Sequence, residues 1–136
     1  MRKILFRAKR DDDGLWFEGN VRHFKDGVYI EHYIGKGKLN EPVIWETVGQ
    51  FTGVTDKNGT KIFEHDIVAY DVEEDGLEYV DYAHVVWDEE KLRWKVKWCM
   101  GYEDSYLERS DSKEFRVVGN VFDNTELMEK ERNWNA

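Results

Sequence analysis

The chain is poor in the residues that staple, kink or span. It has one cysteine and one proline in 136 residues. Cys99 alone allows no intrachain disulfide and no thiolate zinc cluster, so a reducing compartment fits. As a nucleophile it would need a base and an electropositive setting, and a buried small hydrophobe is the simpler reading. The four histidines, His23, His32, His65 and His84, show none of the paired spacing of a zinc helix or ribbon. No apolar stretch approaches the roughly 20 residues of a spanning helix. The opening MRKILFRAKRDDD carries too short an apolar run for a signal peptide. The expectation is a cytoplasmic protein with no membrane partner. Positive charge is also in deficit. The formal net charge is −9, so a phosphate backbone is repelled overall and nucleic acid is not an expected partner, although a local basic patch stays open. Gly35-Lys36-Gly37-Lys38 lacks the glycine frame and the Ser/Thr of a phosphate loop and reads as a loop tip.

Aromatic residues are abundant at 15%, with six Trp, seven Tyr and seven Phe. Large flat side chains suit a pleated surface better than a helix bundle. The punctuation agrees. Strands at 2–8, 15–21 and 28–34 are separated by Asp11-Asp12-Asp13-Gly14 and Lys25-Asp26-Gly27, a meander rhythm. An extended piece follows at 43–51. Asp56-Lys57-Asn58-Gly59 is the strongest turn, predicted to place Asn58 and Gly59 at its centre with positive φ. Asp66 heads a short apolar strand at 66–70, where its carboxylate can accept backbone N–H groups. A last strand spans 115–122. Asp123-Asn124-Thr125 then offers an N-cap for a short helix, and the tail NWNA reads as frayed.

The clearest pattern lies at 79–98. In LRWKVKW, Leu92, Trp94, Val96 and Trp98 alternate with Arg93, Lys95 and Lys97, which predicts a strand with one buried and one basic face. A hairpin with Trp87 opposite Leu92 adds Trp87, Val85 and Ala83 to the buried face. It sets Val86, His84 and Tyr82 across from Arg93, Lys95 and Lys97. Tyr82, His84, Arg93, Lys95 and Lys97 therefore form a candidate binding face, which would touch phosphates if it bound nucleic acid. Its bland counterpart is a solvated sheet face paired with acidic neighbours. Between Asp71 and Glu90 stand nine carboxylates and no Lys or Arg. That segment is either a solvated surface or a docking surface for a basic host protein. Acidic and basic stripes together, with surplus aromatic area, suggest a homo-oligomer. Glu64-His65-Asp66 invites an acid–base or metal reading, but successive strand residues alternate faces, so all three cannot converge.

Three segments carry a family resemblance. ILFRAKRDDDGLWFEG, VGQFTGVTDKNGTKIFEHDIV and VVGNVFDNTELM are similar to the opening, the central signature and the closing strand and helix of the YopX family of phage and prophage proteins. The family usually has glycine where this chain has His65, which puts a positive φ there in question. The resemblance implies a mainly β fold, an SH3-like barrel with an N-terminal β-meander and a short C-terminal helix. It assigns no biochemical activity. The expected organisation is one domain, with the meander at 1–45, the barrel at 46–122 and the helix at 123–132. The expected role is that of a non-enzymatic accessory protein of a phage or prophage. It would need no cofactor and no metal, and would act by contact with itself or a host bacterial protein. The alternative is a nucleic-acid-associated regulator using the basic face. Asp56, Asn58, Gly59 and Asp66 are read as structural turn residues.

Overall fold

A computed structural model describes residues 2–129 and, for the backbone, 133–135. The chain is mainly β, with two antiparallel sheets and a short C-terminal helix. Two compact units meet in sequence at Gly53 and Val54, inside a strand.

Unit 1 holds β1 (Phe6–Lys9), β2 (Trp16–Phe24), β3 (Gly27–Ile34) and β4 (Gly37–Pro42), then β5 (Gly49–Thr55), which runs on into unit 2. Its strands lie in the order β4-β3-β2-β1-β5, the expected meander with β5 added on the β1 side. The glycine-lysine stretch is not a loop tip alone. Gly35, with φ of 59°, turns the chain, and Gly37–Pro42 pairs with β3 along its length. The piece expected to be extended at 43–51 is broken by a 3-10 turn at Trp45–Thr47. There the buried Thr47 hydroxyl donates to the Ile44 carbonyl at 2.6 Å and accepts the Lys9 N–H at 2.9 Å. The core of this unit is Ala8, Ile30 and Val43, backed by Phe6, Phe17, Val21, Val28 and Val48.

Unit 2 holds β6 (Lys61–Phe63), β7 (Asp66–Glu74), β8 (Leu77–Asp88), β9 (Arg93–Trp98), β10 (Ser105–Tyr106), α1 (Arg109–Ser112), β11 (Phe115–Asn120), α2 (Thr125–Met128) and β12 (Asn133–Asn135). The sheet order is β10-β9-β8-β7-β11. The tail does not fray as expected: the β12 backbone pairs with β8 at Glu78–Val80, where exposed N–H and C=O groups of β8 offer a ladder. Ile62, Val68, Ala83, Val85, Val96 and Phe115 form the core, so the alternation of β8 and β9 is obeyed on its inner face. The ladder itself leaves β11 as an edge. The turn after β5 covers it, since the Lys57 N–H donates to the Phe115 carbonyl at 2.9 Å and the Val117 N–H to Asp56 Oδ2 at 2.8 Å. The result is barrel-like.

Several local expectations change. In the Asp56–Gly59 turn only Gly59 takes a positive φ, 82°, while Asn58 does not. The Gly59 N–H closes on the Asp56 carbonyl at 3.1 Å, so the glycine sits last in the turn, not at its centre. His65 adopts φ of 77°, the conformation the family glycine implies, and its ring packs edge-on to Phe122 at 5.1 Å. The β8–β9 hairpin pairs Trp87 with Trp94, Val86 with Lys95 and His84 with Lys97, a two-residue shift from the expected register. Leu92 leaves the ladder with φ of 55° and is 69% exposed. A shift of two preserves the faces. Trp94, expected to be buried, is half-buried against Trp87 at 4.9 Å, because it lies beside the 89–92 turn where the sheet ends. Asn124 does not cap α2 with its side chain. Its Oδ1 turns back to accept the Asn120 N–H at 3.1 Å. Residues 130–132 of the expected helix lie outside the described residues.

Candidate functional site

At one end of the unit 2 core the inner face stays open. Tyr70 from β7, Trp98 from β9 and Phe115 from β11 meet there, because Phe115 pairs with Tyr70 across one ladder and Trp98 lies beside small Ala83 in another. Their ring centroids are 6.1 Å apart for Tyr70–Trp98, 6.0 Å for Tyr70–Phe115 and 6.0 Å for Trp98–Phe115, at interplanar angles of 74°, 71° and 54°. These are edge-on and tilted contacts of the kind aromatic quadrupoles favour. The Trp98 Nε1–H donates to Ser105 Oγ at 3.0 Å and fixes the indole. The trio lines a pocket of about 320 Å³ walled by Ser105, Tyr106, Asp111 and Glu114.

The wall is held by its own anchors. The buried Ser112 hydroxyl donates to the Arg109 carbonyl at 2.8 Å, and Lys113 Nζ reaches Thr55 Oγ1 at 2.8 Å. Asp111 and Glu114 are exposed, and neither carboxylate has a cation partner among the described residues. Tyr106 pairs with Lys95 in the ladder, so its ring lies toward the outer face. There the Arg93 guanidinium covers it at 3.9 Å, while Arg93 Nη2 also donates to Glu108 at 3.1 Å.

The residues singled out from the sequence fall into two groups. Asp56 and Asp66 are each 1% exposed and are structural. Asp56 Oδ1 accepts the Asn58 and Thr60 N–H groups at 2.8 and 2.9 Å, besides the Val117 bond of Oδ2; Asp66 Oδ2 accepts the Phe63 N–H at 2.7 Å. Tyr82, His84, Arg93, Lys95 and Lys97 do share the outer face of β8 and β9, where Arg93 and Lys95 are ion-paired within the chain while Lys97 has no carboxylate partner among the described residues. Lys95 Nζ lies 2.9 Å from Asp104 and 3.8 Å from Asp88, and the Asp104 hydrogen bond raises its pKa. In the acidic segment, Asp71 receives a bidentate Arg116 at 2.9 and 3.0 Å and Lys57 at 3.4 Å; the Arg116 bonds lead in lowering its pKa. Burial raises the pKa of the Cys99 thiol, which disfavours the thiolate. Among the described residues no group of three or more His, Cys, Asp or Glu is placed to hold a metal ion.

His84 supplies a pH test. Burial, then the charge of Lys97, lowers its pKa, with Asp104 opposing and His65 adding slightly. The folded protein therefore binds this proton less readily than the unfolded chain does. Stability is complete above the ordinary histidine value near 6.5 and falls as the pH drops through it toward the lowered folded value. Urea midpoints measured at pH 7.5 and 5.0 should differ more for the unmodified protein than for His84→Gln. Equal differences would assign the acid sensitivity to other groups.

The YopX protein family matches residues 5–129, and the chain belongs to that family. Among solved structures, protein EF1440 from Enterococcus faecalis is similar, with 23% identity over 95% of this chain and 100% of that one at a TM-score of 0.59. That similarity concerns the fold. No curated protein matches the sequence. No helix among the described residues is long and apolar enough to cross a membrane.

Proposed function

We propose that this YopX-family chain is a non-enzymatic accessory protein of a phage or prophage, acting in the bacterial cytoplasm by protein–protein contact. Unit 2 serves as an SH3-like barrel whose mouth receives a partner's side chain. The observation that carries this reading is the pocket of Tyr70, Trp98 and Phe115, three rings from three strands with a polar rim. An open, preformed apolar floor ringed by polar groups is how recognition sites are commonly built. The nucleic-acid alternative ranks lower, because Glu108, Asp104 and Asp88 already neutralise Arg93 and Lys95. Because these ion pairs engage Arg93 and Lys95 within the chain, we rank a host protein ahead of a second copy as the partner.

Ser105 is exposed at the pocket wall, so Ser105→Trp fills the mouth, while Ser105→Ala serves as the control for losing the hydroxyl that accepts the Trp98 Nε1–H. A partner captured from the bacterial host, identified by mass spectrometry and repurified, should bind the unmodified protein and lose at least about tenfold in affinity to Ser105→Trp. Equal binding to both would move the contact elsewhere on the chain.

A further inference from the structure

Resting on that contact reading, we propose that the occupant of the mouth is a cationic side chain, a guanidinium or alkylammonium, presented by a basic segment of the partner. Four observations converge on this chemistry. The floor is made of three π systems, whose faces carry the negative end of the ring quadrupole and attract cations within about 6 Å of the centroid. The rings touch one another, so a ligand cannot slide between them and must sit over the cup they form. Asp111 and Glu114 stand at the rim without cation partners among the described residues, placed to meet a positive charge whose stem lies on the rings. At about 320 Å³ the pocket is at the small end of ligand sites, room for one long side chain rather than a cofactor.

The fourth observation is an internal precedent on the outer face of the same strands. Arg93 lays its guanidinium over the Tyr106 ring at 3.9 Å while Glu108 takes its N–H at 3.1 Å. An aromatic face with a carboxylate behind it is thus already used by this chain to hold a guanidinium. The mouth offers the same pair of elements with the cation left to a partner. An acidic ligand is disfavoured by the rim and by the net charge of −9, which also steers basic segments toward the surface. A neutral apolar side chain would fill the cup but leave the two carboxylates without a role.

The test uses the full chain and small probes. Nα-acetyl-arginine amide and Nα-acetyl-lysine amide are titrated against their neutral counterparts, the citrulline and norleucine amides. The indole N–H resonance of Trp98, assigned with Trp98→Phe, is followed by NMR. A cationic probe should shift that resonance and saturate at about 1–10 mM, the affinity a ligand of this size reaches. The neutral counterpart should be at least about tenfold weaker, and added salt should narrow the gap. Asp111→Asn combined with Glu114→Gln, both at exposed positions, should weaken the cation several-fold and leave the neutral probe unchanged. Citrulline or norleucine binding as well as its charged partner would overturn the proposal, as would indifference to the double substitution or no saturable shift from any cation. If the cations fail while the captured host partner still distinguishes Ser105→Trp, the contact reading stands with a neutral occupant. If that distinction is missing as well, both fall.

Discussion

Asp56→Ala is expected to lower the unfolding free energy by about 3 kcal/mol or more, among the largest effects available from one polar side chain in this protein. The carboxylate is buried and accepts three backbone N–H groups, from Asn58, Thr60 and Val117. Alanine removes every acceptor at once, and each part-buried donor left without a partner costs up to roughly 1–3 kcal/mol before relaxation. Asp56→Asn keeps one acceptor oxygen and should fall between the two. Urea denaturation of the three proteins decides the matter. A loss below about 1 kcal/mol for alanine would mean that water reaches the turn and satisfies the donors in its place.

Gly19→Ala is the second large effect, expected at about 3 kcal/mol. A Cβ at Gly19 would stand 2.1 Å from the Glu31 carbonyl oxygen and 3.0 Å from its carbon. The obstacle is backbone in the adjacent β3 strand, so no side chain can swing away and the strands themselves must part. Gly59→Ala is the control. Its Cβ would meet nothing within 4 Å, and φ of 82° is the sole penalty, about 1 kcal/mol. Thermal unfolding of the two variants should separate them clearly, and equal shifts would show that β2 and β3 yield more readily than their ladder suggests.

The sequence made the strands of unit 2 legible where burial imposes a period. Trp94, Val96 and Trp98 alternate with Arg93, Lys95 and Lys97, and they occupy the face the alternation predicts. Alternation cannot say where a hairpin turn ends. Leu92 looks like one more inward residue, yet it takes a left-handed conformation in the turn and shifts the register by two. Strand β4 was invisible for a related reason. GKLNEP lies almost wholly exposed at a sheet edge, so no apolar period marks it. Asp56 and Asp66 were recognised as turn residues because a carboxylate near a turn has donors close by in sequence. The Asp56 bond to Val117 had no such local sign.

The mouth was missed for a different reason. Tyr70, Trp98 and Phe115 belong to three strands, and only the ladders β11-β7 and β8-β9 bring them together. The one signal is the surplus of aromatic residues, which fits a subunit contact as well as a pocket. The basic ladder was the converse case. Arg93 and Lys95 stand out in sequence, but their partners Glu108 and Asp104 come from the acidic stretch beyond β9, which pattern alone cannot assign to them.

The bond from Val117 to Asp56 joins residues 61 positions apart. Closing so long a loop sacrifices chain entropy before any contact rewards it. Every bond of that seam therefore waits on the chain having first brought β7, β8 and β9 together by short hairpins. A nascent chain released from the ribosome would hold the pieces of the Asp56 turn early, yet leave the edge of β11 uncovered until last. During that interval the open edge is the place where another strand can add, and the speed of seam closure sets how long the protein is exposed to aggregation.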